Sequence, residues 1–255
     1  MAASAVAGPE RADTLLTVHG QSVPALIPTS SLPDALPEVE EGLLRREPCT
    51  RFEDFLPAVV ADALELELAD GLVYERVELG ELTAQWRGRR PLGDVYFGPM
   101  QRRDGWSTAT CVTDALAFFE SAGFVEWLGR LAGEELEFLR PVTAYRLERG
   151  DRICLHDDMS DPDHAVSVAY NLSRDWTSVD GGCTIFGSVT GITPLPTPVD
   201  SPIPLQRWEI TDEEVFVPSF NSLLVMKLGQ EFAHGVDEVT GSRPRLSLVG
   251  IYGRR

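Results

Sequence analysis

After Glu135 the chain consists of short runs in which apolar and polar residues alternate, separated by clusters of Gly, Pro and Asp. A period of two is typical of strands that bury one face. The predicted strands cover approximately residues 137–147, 152–157, 165–172, 183–189, 207–211, 214–217, 222–228, 235–239 and 245–252. About eight antiparallel strands of this length predict a double-layered jelly roll, which closes its edges and leaves one mouth for a ligand.

Before this region the apolar residues recur mostly at helical spacing. The pattern predicts one helix over Phe52 to Leu68 and a second helical stretch over Cys111 to Leu131. Short strands are predicted between them, at residues 72–78 and 82–87. The predicted fold class is therefore mainly β, in the wider α+β sense: a double-stranded β-helix (jelly roll, cupin-like) barrel braced by N-terminal helices.

The first part of the chain has a different composition. Two short apolar runs within residues 14–27 predict a small hairpin, and residues 28–50 carry four prolines and an acidic patch, which is typical of an extended loop. We predict an N-terminal extension over residues 1–50. A single domain is predicted over residues 51–255, with its jelly-roll core at about residues 135–252.

Charge and cysteine content narrow the classes of partner. The 22 basic and 40 acidic residues give a net charge of −18, which repels nucleic-acid phosphates and anionic lipid. The four cysteines are widely spaced and form no Cys-x-x-Cys pair, which favours reduced thiols. We find no signal peptide at the start and no apolar run of the roughly 20 residues that a membrane span needs. The expectation is a cytoplasmic protein without a nucleic-acid or membrane partner.

His156 and Asp158 are the first two residues that we consider as candidate metal ligands. On an extended strand, residues two apart project from the same face, so both side chains would point into one cavity. His234 is the candidate second histidine further along the chain. Two histidines and one carboxylate on one face of an octahedral ion leave three positions open, the arrangement of non-haem Fe(II) oxygenases. Taken alone, a His-x-Asp pair is more often a surface ion pair or a turn.

Two residues compete for roles in this site. Asp157 is the alternative carboxylate, but on a regular strand it faces the opposite side. His164 follows Asp161-Pro-Asp in a turn-like segment, and we place it as an exposed residue or as one that supports a ligand.

A cation and a hydroxyl on the last predicted strand extend the pattern. Residues 245–252 alternate, so Arg245 and Ser247 share one face of that strand. A carboxylate buried in a barrel requires a cation beside it, because an unpaired buried carboxylate costs several kcal/mol. A guanidinium binds such a group through two hydrogen bonds. Arg243 is the rival, but Pro244 places it at the strand entrance.

Three blocks of sequence carry a resemblance to a known family. They are Gly150 with His156 and Asp158; Ala169–Trp176 followed by Asp180-Gly181-Gly182; and Phe216–Met226 followed by His234-x-Val and Arg245-x-Ser. Over residues 141–252 the chain resembles the Fe(II)/2-oxoglutarate-dependent oxygenase superfamily, in the branch that contains the prolyl 4-hydroxylases. Two positions depart from the family. Leu147 replaces a tyrosine that many members have near the cosubstrate, and Ser173 replaces an asparagine.

The resemblance implies a metal site and a cosubstrate site. The two histidines and Asp158 would bind Fe(II), and the enzyme would use O2 and 2-oxoglutarate, with ascorbate as a reductant. Arg245 and Ser247 would bind the distal carboxylate of 2-oxoglutarate. Tyr145 and Tyr170 would line this pocket, or else they would pack in the barrel wall.

The resemblance also implies the reaction class. It predicts a dioxygenase that oxidises an unactivated C–H bond, by hydroxylation or a related oxidation such as desaturation or cyclisation, and releases succinate and CO2. We predict a small amino-acid-like metabolite as the substrate. One alternative is a peptidyl-prolyl hydroxylase, suggested by the family branch alone. Others are a cupin-type metal-binding protein without 2-oxoglutarate, whose sites commonly use three histidines, and a non-catalytic interaction module.

Residues 93–110 are rich in aromatic and polar side chains, which favours a lid that faces the substrate. Asp104 or another carboxylate of this lid would meet an ammonium group of the substrate, and Arg102 or Arg103 would meet a carboxylate. Trp106 is a further candidate for contact with the substrate. The alternative is a surface loop held over the barrel by Trp106.

Overall fold

The computed structural model describes residues 15–18, 21–24, 36–79, 83–89, 111–159, 161–196 and 205–255. Its strands are β1 Leu15–Val18, β2 Gln21–Pro24, β3 Cys49–Phe52, β4 Tyr74–Leu79, β5 Thr83–Gly88, β6 Leu136–Leu147, β7 Ile153–His156, β8 His164–Asn171, β9 Thr184–Pro194, β10 Gln206–Phe216, β11 Ser222–Lys227, β12 Phe232–Val236 and β13 Arg245–Arg254. The α-helices are α1 Ala58–Leu66, α2 Cys111–Phe119 and α3 Ala122–Ala132. A π-helical turn, Glu67–Gly71, continues α1.

Two antiparallel sheets form the barrel. The larger sheet has the strand order β3-β11-β8-β13-β6-β5-β4, and the smaller sheet has the order β10-β9-β12-β7. The eight strands from β6 to β13 are divided between the two sheets, four in each, which is the jelly-roll arrangement. The predicted fold class is confirmed.

The helices cover the outer face of the larger sheet, as the sequence predicts. Large side chains of the helices, including Phe119, Phe124 and Trp127, form one buried cluster with alternate residues of the central strands, such as Tyr170 and Leu248. All eight residues of β8 are buried, because helices cover one face of this strand and the smaller sheet covers the other. The opposite face of the larger sheet is left to form the site.

The upstream helices differ from the prediction in two places. Residues 49–52 form β3, which pairs with β11, so α1 begins at Ala58 and not at Phe52. The second helical stretch is two helices, because the Ser121 side chain accepts a hydrogen bond from the Phe124 amide and starts α3. Long-range strand pairing and an N-cap therefore overrode the helical periodicity.

The downstream strands also differ in detail. The runs predicted at 207–211 and 214–217 form one strand, β10, whose pairing with β9 shifts register between Thr211 and Glu214. β12 begins at Phe232, three residues before its predicted start, and so contains His234. The predicted hairpin near the N-terminus is present as β1 and β2.

Residues near the predicted domain boundary pack on the barrel and its helices. The Gly42 amide donates to the Arg130 carbonyl, and the Trp127 indole donates to the Pro37 carbonyl. The division at residue 50 stays a prediction. The four cysteines are free thiols. Within the described ranges, no helix has the length and apolar character needed to cross a membrane.

Candidate metal and cosubstrate site

A cluster of two imidazoles and one carboxylate lies on the inner face of the smaller sheet. His156 is the last residue of β7, and His234 is its direct partner on the neighbouring strand β12. The Nε2 atoms of His156 and His234 lie 3.3 Å and 3.2 Å from the two carboxylate oxygens of Asp158. The potential ligand atoms of the three residues all lie within 4.8 Å of one another. The fold thus brings the three predicted ligands together.

Asp158 reaches the cluster by a route that strand periodicity did not predict. β7 ends at His156, and Asp158 has a φ of 54°, in the left-handed region. The alternation that placed the two side chains on one face therefore does not apply beyond His156, although the side chains do meet. The His164 ring contacts the Asp158 carbonyl oxygen through Nδ1. His164 is buried at the start of β8, so the expectation that it is exposed is wrong and its alternative role, support of a ligand, is the one that fits.

A bulge in β7 aims the His156 side chain. His234 pairs with His156, and Val236 pairs with Ile153. An advance of two residues along β12 therefore corresponds to an advance of three residues along β7, which defines a β-bulge with one extra residue in β7. Ile153 and His156 consequently both line the cavity. Nδ1 of His156 lies 2.8 Å from the Cys154 carbonyl oxygen, which is the geometry of a ring N–H donating to that oxygen. Nε2 then keeps its lone pair for a metal.

The three groups shift one another's pKa values. Burial opposes ionisation of Asp158, but the two imidazoles outweigh it and hold the pKa of this carboxyl well below its usual range. Burial acts to lower the pKa of His156, yet Asp158 raises it overall. Burial and the charge of His156 lower the pKa of His234. The carboxylate is therefore ionised and at least one imidazole is neutral, the forms that bind a metal.

Arg245 lies on the facing wall of the barrel, at the start of β13. It is 2% exposed, and burial lowers the pKa of its guanidinium to about 10. Nη2 donates to Asn171 Oδ1 and to Thr184 Oγ1, both at 3.1 Å, and Nη1 lies 3.4 Å from Ser247 Oγ. All three partners are neutral, and Nε has no partner. A buried cation without a carboxylate among the described residues is suited to an anionic ligand.

Asn171 and Thr184 are contacts that sequence reasoning missed. Asn171 pairs across the larger sheet with Ser247, so its side chain shares the inner face with that hydroxyl. The alternation of Ser167, Ala169 and Asn171 on β8 is the signal that could have identified it. Thr184 begins β9 on the other sheet, and no local pattern connects it with Arg245.

The two tyrosines predicted for the pocket take different positions. Tyr145 lines the cavity beside Ser247, its partner across β6 and β13. Tyr170 does not. Its parity on β8 is opposite to that of Asn171, so its ring packs against the helices and its hydroxyl donates to Asn221 Oδ1 at 2.7 Å. The placement of Tyr170 in the cosubstrate pocket is therefore corrected.

A cavity of about 110 Å³ joins these groups between the two sheets. The metal-ligand cluster forms one wall, and Arg245, Ser247 and Tyr145 lie on the other. The rival cation, Arg243, is exposed and donates to the carbonyl oxygens of Arg174 and Asp175 at the surface. A larger groove of about 560 Å³ lies along α3 and contains none of these side chains.

Residues 142–253 match the family model of the 2OG-Fe(II) oxygenase superfamily. This part of the chain belongs to that superfamily. The match contains every residue of the metal cluster and of the Arg245 pocket. No curated protein matches the chain.

Solved structures of 2OG-Fe(II) oxygenases share the fold. A 2OG-Fe(II) oxygenase family oxidoreductase from Burkholderia pseudomallei is 24% identical, with a TM-score of 0.53 over 83% of this chain and 88% of its own. A prolyl 4-hydroxylase from Pseudomonas putida is 19% identical, with a TM-score of 0.53 over 83% and 95%. A prolyl hydroxylase from Trichoplax adhaerens, in complex with a hypoxia inducible factor peptide, is 13% identical, with a TM-score of 0.55 over 83% and 86%.

The residues of this oxygenase chain fit both groups for which the superfamily is named. Two imidazole nitrogens and a carboxylate suit Fe(II). Among the described residues this cluster contains two histidines and not the three that are common in cupin-type sites, and the His164 ring contacts the Asp158 carbonyl oxygen. The orphaned Arg245 Nε, in a buried pocket that also holds Ser247, suits a carboxylate. The residues predicted to contact substrate, Arg102, Arg103, Asp104 and Trp106, lie outside the described residues.

Proposed function

We propose that this oxygenase oxidises an unactivated C–H bond of a small amino-acid-like metabolite, by hydroxylation or a related oxidation such as desaturation or cyclisation. His156, Asp158 and His234 would hold Fe(II), and Arg245 with Ser247 would hold the distal carboxylate of 2-oxoglutarate. When bound, these groups supply O2 activation, with succinate and CO2 as coproducts. The observation that carries the proposal is one cavity with the three-residue cluster on one wall and the buried, uncompensated Arg245 on the other.

The protein's own residues would orient and shield the reaction. The cavity lies between two sheets, and its apolar lining includes Met226 and Val249, which limits the water that reaches the metal. The Cys154 carbonyl fixes the orientation of the His156 ring. The His164 ring steadies the backbone of Asp158 in its left-handed conformation. Each contact reduces the reorganisation needed at the metal.

Two features favour a small substrate. The cavity between the two sheets has a modest volume of about 110 Å³. The net charge of −18 disfavours nucleic acid. The likeness in fold to the prolyl hydroxylases supports the alternative of a peptidyl-proline substrate. The likeness to the epimerase SnoN from nogalamycin biosynthesis, 14% identical with a TM-score of 0.54, shows that the same fold also occurs in an enzyme of small-molecule biosynthesis.

A screen for substrate-stimulated succinate formation tests this proposal. The protein would be incubated with Fe(II), 2-oxoglutarate, O2 and ascorbate, and challenged with amino acids, their derivatives and short peptides that contain proline. We expect succinate formation to rise with at least one free amino acid or derivative, and Asp158→Ala to abolish the rise. If only the proline peptides stimulate succinate formation, the substrate is a peptide. Turnover that does not depend on 2-oxoglutarate would refute the proposed reaction.

A further inference from the structure

A second cation, Arg87 on β5, lines the same cavity as the metal-ligand cluster. It is the direct partner of Tyr145 across β5 and β6, and its guanidinium lies over the Tyr145 ring at 5.1 Å from the ring centroid. With the Gln85 amide oriented to satisfy its neighbours, the Gln85 oxygen accepts from Arg87 Nε at 3.3 Å and from Nη2 at 3.0 Å. These contacts hold the guanidinium at the cavity wall.

Arg87 lacks the carboxylate partner that several other arginines of this acidic protein have. Arginines that form ion pairs with carboxylates include Arg46, Arg51, Arg76, Arg146, Arg152, Arg174 and Arg254. The two arginines that line the cavity, Arg87 and Arg245, have no such partner within the part of the chain that the structure describes. A cation that is stacked on an aromatic ring but not neutralised retains its capacity to bind an anion.

The two cavity arginines occupy different parts of the cavity wall, because Asn171 and Thr184 hold the Arg245 guanidinium towards β8 and β9, away from β5. Arg245 lies on β13 and Arg87 on β5, with β6 between them. Adjacent strands are about 4.8 Å apart, so the two backbones are separated by roughly 10 Å. Since Arg245 serves the distal carboxylate of 2-oxoglutarate in the proposed function, Arg87 is available for a second anionic group.

Tyr145 connects Arg87 to the metal cluster. Burial raises the pKa of the Tyr145 hydroxyl, with Arg87 acting to lower it and Asp158 to raise it further. Arg87, Tyr145 and the three candidate metal ligands line one cavity. An anion held by Arg87 would therefore lie in the same cavity as the metal cluster.

We propose that Arg87 binds a carboxylate of the substrate and that the substrate is therefore a free acid, held at Arg87 while a nearby C–H bond faces the metal cluster. This inference rests on the proposed function and adds a chemical class and a specificity-determining residue to it. Tyr145 positions the guanidinium by stacking beneath it.

Arg87→Met tests the proposal, because methionine keeps an unbranched side chain similar to the aliphatic part of arginine and removes the guanidinium with its charge. The probes are the twenty common amino acids and their carboxamides. Binding is followed anaerobically through the visible absorbance of the protein with Fe(II) and 2-oxoglutarate, and turnover is followed through succinate. We expect the wild-type protein to prefer at least one acid over its amide. Arg87→Met should raise the dissociation constant of that acid about 10- to 100-fold, the factor that a charge-assisted hydrogen bond contributes. It should also remove the preference for the acid over the amide.

Two further variants make the result specific. Arg89→Met is the matched control, because Arg89 is exposed just beyond β5 and does not line the cavity. It should leave the preference unchanged, and Arg87→Lys should restore part of it. The proposal is overturned if Arg87→Met keeps the preference for the acid, or if its defect is confined to 2-oxoglutarate affinity. Failure of the proposed function is distinct: the wild-type protein would then form no succinate with any probe.

Discussion

Asp158 presents the carboxylate that we propose as a metal ligand from a backbone conformation that few residues adopt. Its φ of 54° lies in the left-handed region, which Asp tolerates better than most side chains do. The buried His164 ring contacts its carbonyl, and both histidine Nε2 atoms face its carboxylate. At the scale of single residues, the site depends on this local geometry as much as on the identity of the ligands.

Removal of any one ligand is expected to weaken Fe(II) binding severely. His156→Ala, Asp158→Ala and His234→Ala each delete one of three donors. The loss should therefore exceed the roughly 10–100-fold that removal of a residue supporting a ligand causes. Anaerobic titration with Fe(II) measures it. Asp157→Asn is the matched control and should bind normally, since Asp157 uses its Oδ1 to accept from the Met159 amide. Normal binding by His234→Ala would contradict the assignment.

Arg245→Met is expected to raise the apparent KM for 2-oxoglutarate by about one to two decades. A charge-assisted hydrogen bond contributes roughly 1.5–3 kcal/mol, and methionine cannot replace it. Steady-state succinate formation at varied 2-oxoglutarate concentration gives the value. Arg243→Met removes the surface arginine two positions earlier and should leave KM unchanged. The reverse result, a defect in Arg243→Met alone, would show that the wrong arginine has been assigned.

Among the elements, the link between α1 and β11 supports the sheet that carries the cosubstrate pocket. Asn221 precedes β11 with a φ of 58°. Its Oδ1 accepts from the Leu56 amide at 2.9 Å and from the Tyr170 hydroxyl at 2.7 Å, and its Nδ2 donates to the Leu56 carbonyl at 2.7 Å. One side chain thus connects the segment that precedes α1 with β8 and with the start of β11.

Asn221→Gly is expected to lower the free energy of unfolding by about 3 kcal/mol. Glycine keeps the positive φ, so the loss reports the buried hydrogen bonds, each of which costs roughly 1–3 kcal/mol when a partner is left unsatisfied. Denaturant unfolding measures it. Tyr170→Phe removes only one of these bonds and should cost about 1 kcal/mol. It should also leave the KM for 2-oxoglutarate unchanged. A raised KM for 2-oxoglutarate in Tyr170→Phe would indicate that this tyrosine contacts the cosubstrate after all.

In the whole molecule, the two sheets of the jelly roll contribute different side chains to the cavity. The smaller sheet presents the two histidines at the end of β7 and within β12, whereas the larger sheet presents Arg245 and Arg87. Helices pack against the outer face of the larger sheet and stiffen the wall that carries both cations. The metal cluster and the anion-binding groups are thereby held across one cavity.

The net charge of −18 predicts that the whole protein does not bind nucleic acid. Fluorescence anisotropy with labelled single-stranded and duplex DNA at low salt should show no binding, because repulsion is strongest where screening is weakest. Affinity that falls as salt is added would instead reveal a basic surface and contradict the prediction.

The sequence by itself determined the fold class, and the resemblance that it carries predicted the reaction class and the types of ligand. The alternation of apolar residues after Glu135 predicts the strands, because a strand buries alternate residues wherever it lies. The blocks around His156, His234 and Arg245 carried the resemblance to the oxygenases, since those residues have the chemistry that the metal and a dicarboxylate require. These features are local in the chain, or depend only on residue identity.

The tertiary structure decided which side chains share the cavity. The extra residue in β7 is defined only by pairing with β12, and the conformation of Asp158 only by its contact with His164. Asn171 lies in the Arg245 pocket and Tyr170 does not, because helices cover one face of β8 and the smaller sheet covers the other. Arg87 joined the site through its pairing with Tyr145. Contacts between residues distant in sequence set the register of each strand, and no periodicity within one strand encodes them.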